Sequence, residues 1–221
     1  MTQPDGHSTP AATSVARGPA QVRDFFTSRA GTWDARFAGD GPAYAAAVAA
    51  LGLRAGGRVL DAGCGTGRAL PALRAAVGPE GLVLGVDLTP AMLDVAARAG
   101  RRESGALVLA DVDRLPLRTA SLDAVFAAGL IGHVAEPGGT LHELARVVRP
   151  GGTLLLFHPV GRAVLAARQG RTLSPTDVRA EGRLRALLAA AGWRLVRYVD
   201  EDDRFLALAH REPARTAPEP A

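Results

Sequence analysis

The chain has 221 residues, 48% of them apolar, which suits one folded domain with a sizeable core. Its net charge is +4 and its isoelectric point about 10.4, yet it has no lysine, and all 26 basic residues are arginines that keep their protons to very high pH. The high isoelectric point is therefore a composition effect and only weak evidence for a nucleic-acid partner. A single cysteine, Cys64, excludes a disulfide framework and argues against a cysteine metal centre, and no apolar run is long enough to span a membrane.

Residues 1–18 are rich in Ser, Thr, Pro, Gly and Ala and are expected to form a disordered tail. They lack a basic segment followed by an apolar one, so no secretory leader is expected and the protein is predicted to be cytoplasmic. Gln21–Ala30 and Pro42–Leu51 pattern as two helices, a cap over residues 19–55 lying on the edge of a predicted sheet. Strand-length apolar runs then occur at Arg58–Ala62, Leu82–Val86, Ala106–Ala110, Leu122–Ala127 and Thr153–Phe157. Between most of them the apolar residues recur at helical spacing: Leu70, Leu73 and Val77, then Met92, Ala96 and Ala99, then Leu141, Leu144, Ala145 and Val148. Asp111–Ala120 is too short and irregular for a full helix. Ser174-Pro175 reads as the start of a further helix that buries Leu184, Leu187, Leu188 and Ala191 and stops at Gly192. Trp193–Val199 and Phe205–Ala209 come next as a hairpin joined by a solvated acidic turn at 200–203, and residues 211–221, with three prolines, are expected to be a flexible tail. Alternation of strands and helices implies an α/β, Rossmann-like three-layer sandwich, its seven-stranded sheet mostly parallel with an antiparallel last strand.

Chemistry concentrates at the ends of the predicted strands. Val59-Leu60-Asp61-Ala62-Gly63-Cys64-Gly65-Thr66-Gly67 follows a strand and opens a helix. Glycines there let a ligand approach the backbone, and the free N–H groups of a helix start favour a carboxylate. The spacing is G-x-G-x-G behind an acidic residue, unlike the G-x-G-x-x-G of dinucleotide folds. Asp87 lies 20 residues beyond Gly67, at the end of the next strand, where a carboxylate can accept from both hydroxyls of a ribose. Thr89 is placed to cap the helix after it. Asp111, just past the third strand, can accept from an adenine amino group, with the Val112 N–H donating to the ring; a turn or cap role is the other reading of this residue. His133 and His158, after the fourth and fifth strands, have the pKa of a general base, although each could equally bond loop backbone. Arg162, Arg168 and Arg171 could form a basic rim for an acidic acceptor, or simply a solvated helix face.

These motifs, in this order, resemble those of class I methyltransferases that use S-adenosylmethionine (SAM), over about residues 22–210. Val59–Gly67 is similar to the family's first motif, Gly85–Leu93 to its second, Ala110–Leu117 to its third, Leu122–Val134 to the fourth-strand motif, and Leu144–Phe157 to the segment leading into the fifth strand. Within the class, the pattern is similar to the small-molecule subgroup that includes quinone-biosynthesis C-methyltransferases. The resemblance implies that Gly63, Gly65 and Gly67 line the methionine part of SAM with Asp61 beside its amino group. It implies that Asp87 holds the ribose, that Leu88 and Met92 pack near the adenine, and that Asp111 and Val112 read the adenine edge. Ala128 and Gly129 would pass under the sulfonium, and Trp33-Asp34 resembles a pair that closes over the cofactor. The expected partner is a small-molecule methyl acceptor; neither nucleic acid, membrane nor metal is expected, and the protein would be a monomer or homodimer. Two other readings stay open: a macromolecular (RNA or protein) methyltransferase, and a non-catalytic SAM-binding protein. A nicotinamide-dependent oxidoreductase is disfavoured by the glycine spacing, Asp111 and the terminal hairpin.

Overall fold

The computed structural model describes residues 18–213. The expected tails fall outside the described residues except for Gly18 and residues 211–213, and Arg211 belongs to the last strand rather than to a tail.

The described residues form one seven-stranded sheet in the order β3-β2-β1-β4-β5-β7-β6. The strands are β1 (Arg58–Ala62), β2 (Leu82–Asp87), β3 (Ala106–Leu109), β4 (Leu122–Ala128), β5 (Val148–His158), β6 (Trp193–Glu201) and β7 (Arg204–Arg211). All neighbours from β3 to β5 pair parallel, and β7 runs antiparallel to both β5 and β6. The helices are α1 (Pro19–Thr27), α2 (Trp33–Arg36), α3 (Gly41–Ala50), α4 (Leu70–Val77), α5 (Pro90–Arg98), α6 (Pro137–Val147), α7 (Arg162–Arg168) and α8 (Glu181–Ala190). None of the described helices is long and apolar enough to cross a membrane.

Burial on both faces follows from the period of two in the strands. On one face Val59, Val83, Phe126, Leu155 and Phe157 meet α3 through Ala47 and Val48, and α4 through Leu70, Leu73 and Val77. On the other, Leu60, Val86, Val125, Leu154 and Leu156 meet Leu141 and Leu144 of α6, and Leu184 and Leu188 of α8. The predicted stripes of α4 and α6 are thus buried, whereas on α5 Met92 and Ala96 are buried and Ala99, past the helix end, is exposed. Because β2 and β3 extend to one side of β1 while β4 and β5 extend to the other, the crossovers diverge between β1 and β4. In folds of this type that divergence is where a ligand crevice forms, at the carboxyl ends of the strands and between the loops that leave them.

Two elements differ from the sequence reading. Val148 patterns with α6 but is the first residue of β5, whose pairing begins at Leu122↔Val148 and continues beyond a shift at Ala124↔Thr153. The Arg149-Pro150-Gly151-Gly152 turn is therefore an irregular start of the strand, held by an ion pair between Arg149 and Asp123 at 2.5 Å. Ser174-Pro175 does not start α8. Ser174 Oγ accepts from the Thr176 amide at 3.1 Å, Asp177 Oδ1 accepts from the Arg179 amide at 2.8 Å, and these local turns delay the helix to Glu181.

Trp193 anchors α6 and α8 to the sheet. It is 1% exposed and its Nε1 donates to the Leu141 carbonyl at 3.0 Å. Trp193→Phe should lower unfolding stability by about 2–3 kcal/mol in denaturant titration, because it leaves a void and removes the buried indole hydrogen bond. An unchanged midpoint would show that the indole N–H contributes nothing.

Candidate cofactor site at the carboxyl edge of the sheet

The loop after β1 is bent by three glycines with positive φ: Gly63 at 67°, Gly65 at 55° and Gly67 at 76°. Other residue types rarely adopt this region, so the glycine spacing sets the loop's shape. The Cys64 amide donates to the Val86 carbonyl at 2.9 Å and pins the loop to β2. A Cβ added to Gly65 would meet nothing within 4 Å, and the same holds at Gly129 just past β4, so both backbones face open space. Gly63 instead lies against Leu130, and Gly67 against Leu70 and Arg101.

Asp87 ends β2 and is 9% exposed. Its Oδ2 accepts from the Gly65 amide and its Oδ1 from the Thr89 amide, both at 2.8 Å. Burial raises its pKa while these amide bonds oppose the rise. Thr89 does sit at the N-cap of α5, but its side chain makes no capping bond there; its amide serves Asp87 instead.

Asp61, in β1, is 2% exposed, and its Oδ2 has no hydrogen-bond partner. Burial, with the Asp87 charge second, pushes its carboxyl up to about 8. A buried carboxyl oxygen without a donor is costly unless something else fills that role.

Met92 is buried on α5 and Leu88 half-buried at its start, while Val112 is buried beyond β3. Asp111 is half-buried, with Oδ1 accepting from the Asp113 amide at 3.0 Å. One of its oxygens thus closes a local turn. Ala128 ends β4, and the Gly129 amide donates to the Phe157 carbonyl at 2.8 Å, which ties the mouths of β4 and β5 together. The fold therefore brings Asp61, Gly63, Gly65, Gly67, Asp87, Leu88, Met92, Asp111, Val112, Ala128 and Gly129 to one edge.

The cap is fastened to that edge through polar contacts of Asp34, which the family resemblance singled out, and of Phe37 and Asp40, which it did not. Thr66 Oγ1 donates to Asp34 Oδ1 at 2.5 Å, and Arg101 lies 3.9 Å from the same carboxylate. Arg68 donates to the Phe37 carbonyl at 2.6 Å, pairs with Asp40 at 3.4 Å and sits 4.7 Å above the Tyr44 ring. Arg68 directly follows Gly67 in sequence, which is the only hint of its role. Trp33 packs against Phe26 and Phe37 at centroid distances of 5.5 and 4.8 Å.

The two histidines differ. His133 is exposed beyond β4, with its ring 5.1 Å from that of Phe26 and 6.3 Å from that of Phe25. His158 is half-buried at the end of β5, its Nδ1 3.0 Å from the Val160 carbonyl oxygen. Burial first, and the Arg179 and Arg168 charges after it, pull its pKa down to about 4. Of the three arginines of the expected basic rim, Arg162 turns inward and pairs with Asp200 at 2.8 Å, while nearby Arg179 pairs with Asp177 at 2.9 Å. Arg168 and Arg171 remain exposed, and no group of metal-ligating side chains occurs among the described residues.

His158 gives a pH prediction. The unfolded chain takes up a proton near pH 6.5 and the folded one only near 4, so stability is lost as pH falls through that window. Melting followed from pH 7 to 4.5 should decline less steeply in His158→Gln, by ~2 kcal/mol at the acid end. Parallel curves would mean that His158 does not titrate differently on folding.

Residues 60–156 match the family model described as a methyltransferase domain. A ubiquinone/menaquinone biosynthesis C-methyltransferase of Syntrophotalea carbinolica is 39% identical over 114 residues, 51% of this chain and 48% of that protein. A 27-O-demethylrifamycin SV methyltransferase of Amycolatopsis mediterranei is 36% identical over 110 residues, 48% of this chain and 40% of that protein. The chain thus spans under half the length of these curated relatives. Among solved structures, a chain crystallised with the Haloferax volcanii Trm112 methyltransferase activator superposes with a TM-score of 0.74 at 23% identity, over 89% of this chain and all of that one. The matched segment runs from β1 into β5 and contains both the glycine loop and Asp87, so the similarity to methyltransferase domains falls on the elements that build the candidate site.

Proposed function

We propose that the protein transfers the methyl group of SAM to a small-molecule acceptor by in-line displacement. The observation that carries this reading is the pair of buried carboxyls, Asp61 and Asp87, flanking a glycine loop that leaves open space at Gly65. One carboxyl lacks a donor, and the ligand that fits would bring an ammonium and ribose hydroxyls together. SAM, when bound, supplies a methyl group already activated by its sulfonium.

The protein's own part is placement and exclusion of water. The backbones of Gly63, Gly65 and Gly67 line the methionyl portion, and Asp61 receives the ammonium. Asp87, held rigid by Gly65 and Thr89, accepts from the ribose hydroxyls. Leu88 and Met92 cover the adenine, while Asp111 and the Val112 amide read its edge. Ala128 and Gly129 leave room for the sulfonium, and Trp33, within the aromatic cap, shields it. Where the acceptor must lose a proton, we assign the base to His133 at the mouth of the crevice. His158 is the poorer base because its Nδ1 is engaged with Val160 and its pKa is depressed.

A small acceptor is favoured because both curated relatives are named for small molecules, a quinone and a rifamycin. Under 25% identity, the neighbour crystallised with an activator protein supports the fold alone.

Calorimetry with SAM and, separately, with NAD tests the cofactor. SAM should bind and NAD should not, and Asp87→Ala should weaken SAM by about 10–100-fold through loss of hydrogen bonds to a charged group. Absence of SAM binding by folded wild-type protein would refute the reading. Transfer of labelled methyl from SAM to a panel of phenols, quinols and macrolides, set against RNA and protein substrates, tests the acceptor class. Labelling of RNA or protein alone would overturn the small-molecule assignment. His133→Ala should lower kcat for proton-losing acceptors at least about tenfold while leaving SAM affinity unchanged.

A further inference from the structure

Asp61 and Asp87 are adjacent buried carboxyls treated very differently by the fold. Asp87 accepts two backbone amides, which support its charge. Asp61 Oδ2 accepts nothing. The ionisable groups around Asp61 add no positive charge. Asp87 faces it from β2, Cys64 from the glycine loop and Tyr44 from α3. From β4 the residue in register is Phe126. The guanidinium carried by the same loop, Arg68, is engaged with the Phe37 carbonyl and the Asp40 carboxylate. Two buried carboxyls that repel one another cannot both ionise cheaply, and the one with no donor at Oδ2 is the one that keeps its proton. The upward shift of Asp61 to about 8 is the expected consequence.

We propose that Asp61 is protonated in the free protein and becomes a carboxylate only when the ammonium of the cofactor enters, so that cofactor binding expels one proton. The balance is simple. The Asp61 O–H bond breaks, its proton leaves to buffer, and a carboxylate–ammonium pair forms at the oxygen that previously had no partner. This rests on the cofactor reading above and adds to it that the site is charged by its ligand rather than beforehand.

Affinity then depends on pH. It rises about tenfold between pH 6 and 7, since each unit makes the expelled proton easier to lose. The rise ends near pH 8, where Asp61 of the free protein ionises and the ligand's own amino group begins to lose its proton. The test is calorimetry at pH 6.5 in buffers of differing ionisation enthalpy, with S-adenosylhomocysteine and with 5′-methylthioadenosine. The second ligand has the adenosine and thioether but no amino-acid end. Homocysteine-bearing ligand should release close to one proton, methylthioadenosine close to none, and Asp61→Asn should abolish the release while preserving shape. Binding of S-adenosylhomocysteine without proton release, or equal release with both ligands, overturns the proposal and leaves the cofactor assignment intact. The comparison of the two ligands on wild-type protein stands even if Asp61→Asn does not fold. Failure of either ligand to bind would refute the cofactor reading and this inference with it.

Discussion

The carboxylate of Asp87 is the constraint on which the site depends. With one oxygen on the Gly65 amide and the other on the Thr89 amide, it joins the turn after β1 to the turn after β2. Those turns leave adjacent parallel strands on one side of the point where the crossovers diverge. Without such a bridge, three glycines with positive φ would give a floppy connection, because glycine has the most conformational freedom to lose. The same two bonds hold charge on Asp87 and leave Asp61 as the carboxyl without support. Loop geometry and the electrostatics of the pair thus share one cause.

The cap adds a second layer of coupling. Thr66 and Arg68, on the glycine loop itself, bond to Asp34, Phe37 and Asp40 on the cap. The cap segment is therefore fastened to the same loop that carries Gly63, Gly65 and Gly67. Of its aromatic side chains, Phe25 and Phe26 meet His133 from the β4 loop and Trp33 packs behind Phe26, so the cap and the sheet share the mouth of the site. This sets His133 beside the rings of the cap and His158 against the Val160 backbone, although sequence position alone made them equivalent candidates.

Most of the architecture was legible in the chain. The runs Arg58–Ala62 and Leu82–Val86 pattern as buried strands because both faces of a parallel sheet are covered, and the α4 and α6 stripes fall where the cores lie. Errors came where local pattern competed with tertiary pairing or side-chain turns. Val148 has helical spacing but pairs with Leu122, and Ser174-Pro175 has capping chemistry but is absorbed into turns closed by Ser174 and Asp177. The polar fasteners of the cap were not legible, since Asp34 and Thr66 are 32 positions apart and ordinary residues in both settings.

The sequence by itself determined the layered α/β class, the glycine turn and the acidic residues at successive strand ends, because these are set by spacing along one chain: the period of two or 3.6, and the need for glycine at positive φ. Only the tertiary structure decided the states of those residues. It gave Asp87 two amides and Asp61 no donor at Oδ2, half-buried His158 while exposing His133, and paired Arg162 with Asp200. Burial and the identity of the nearest donor are properties of distances between remote segments, and no local pattern encodes them.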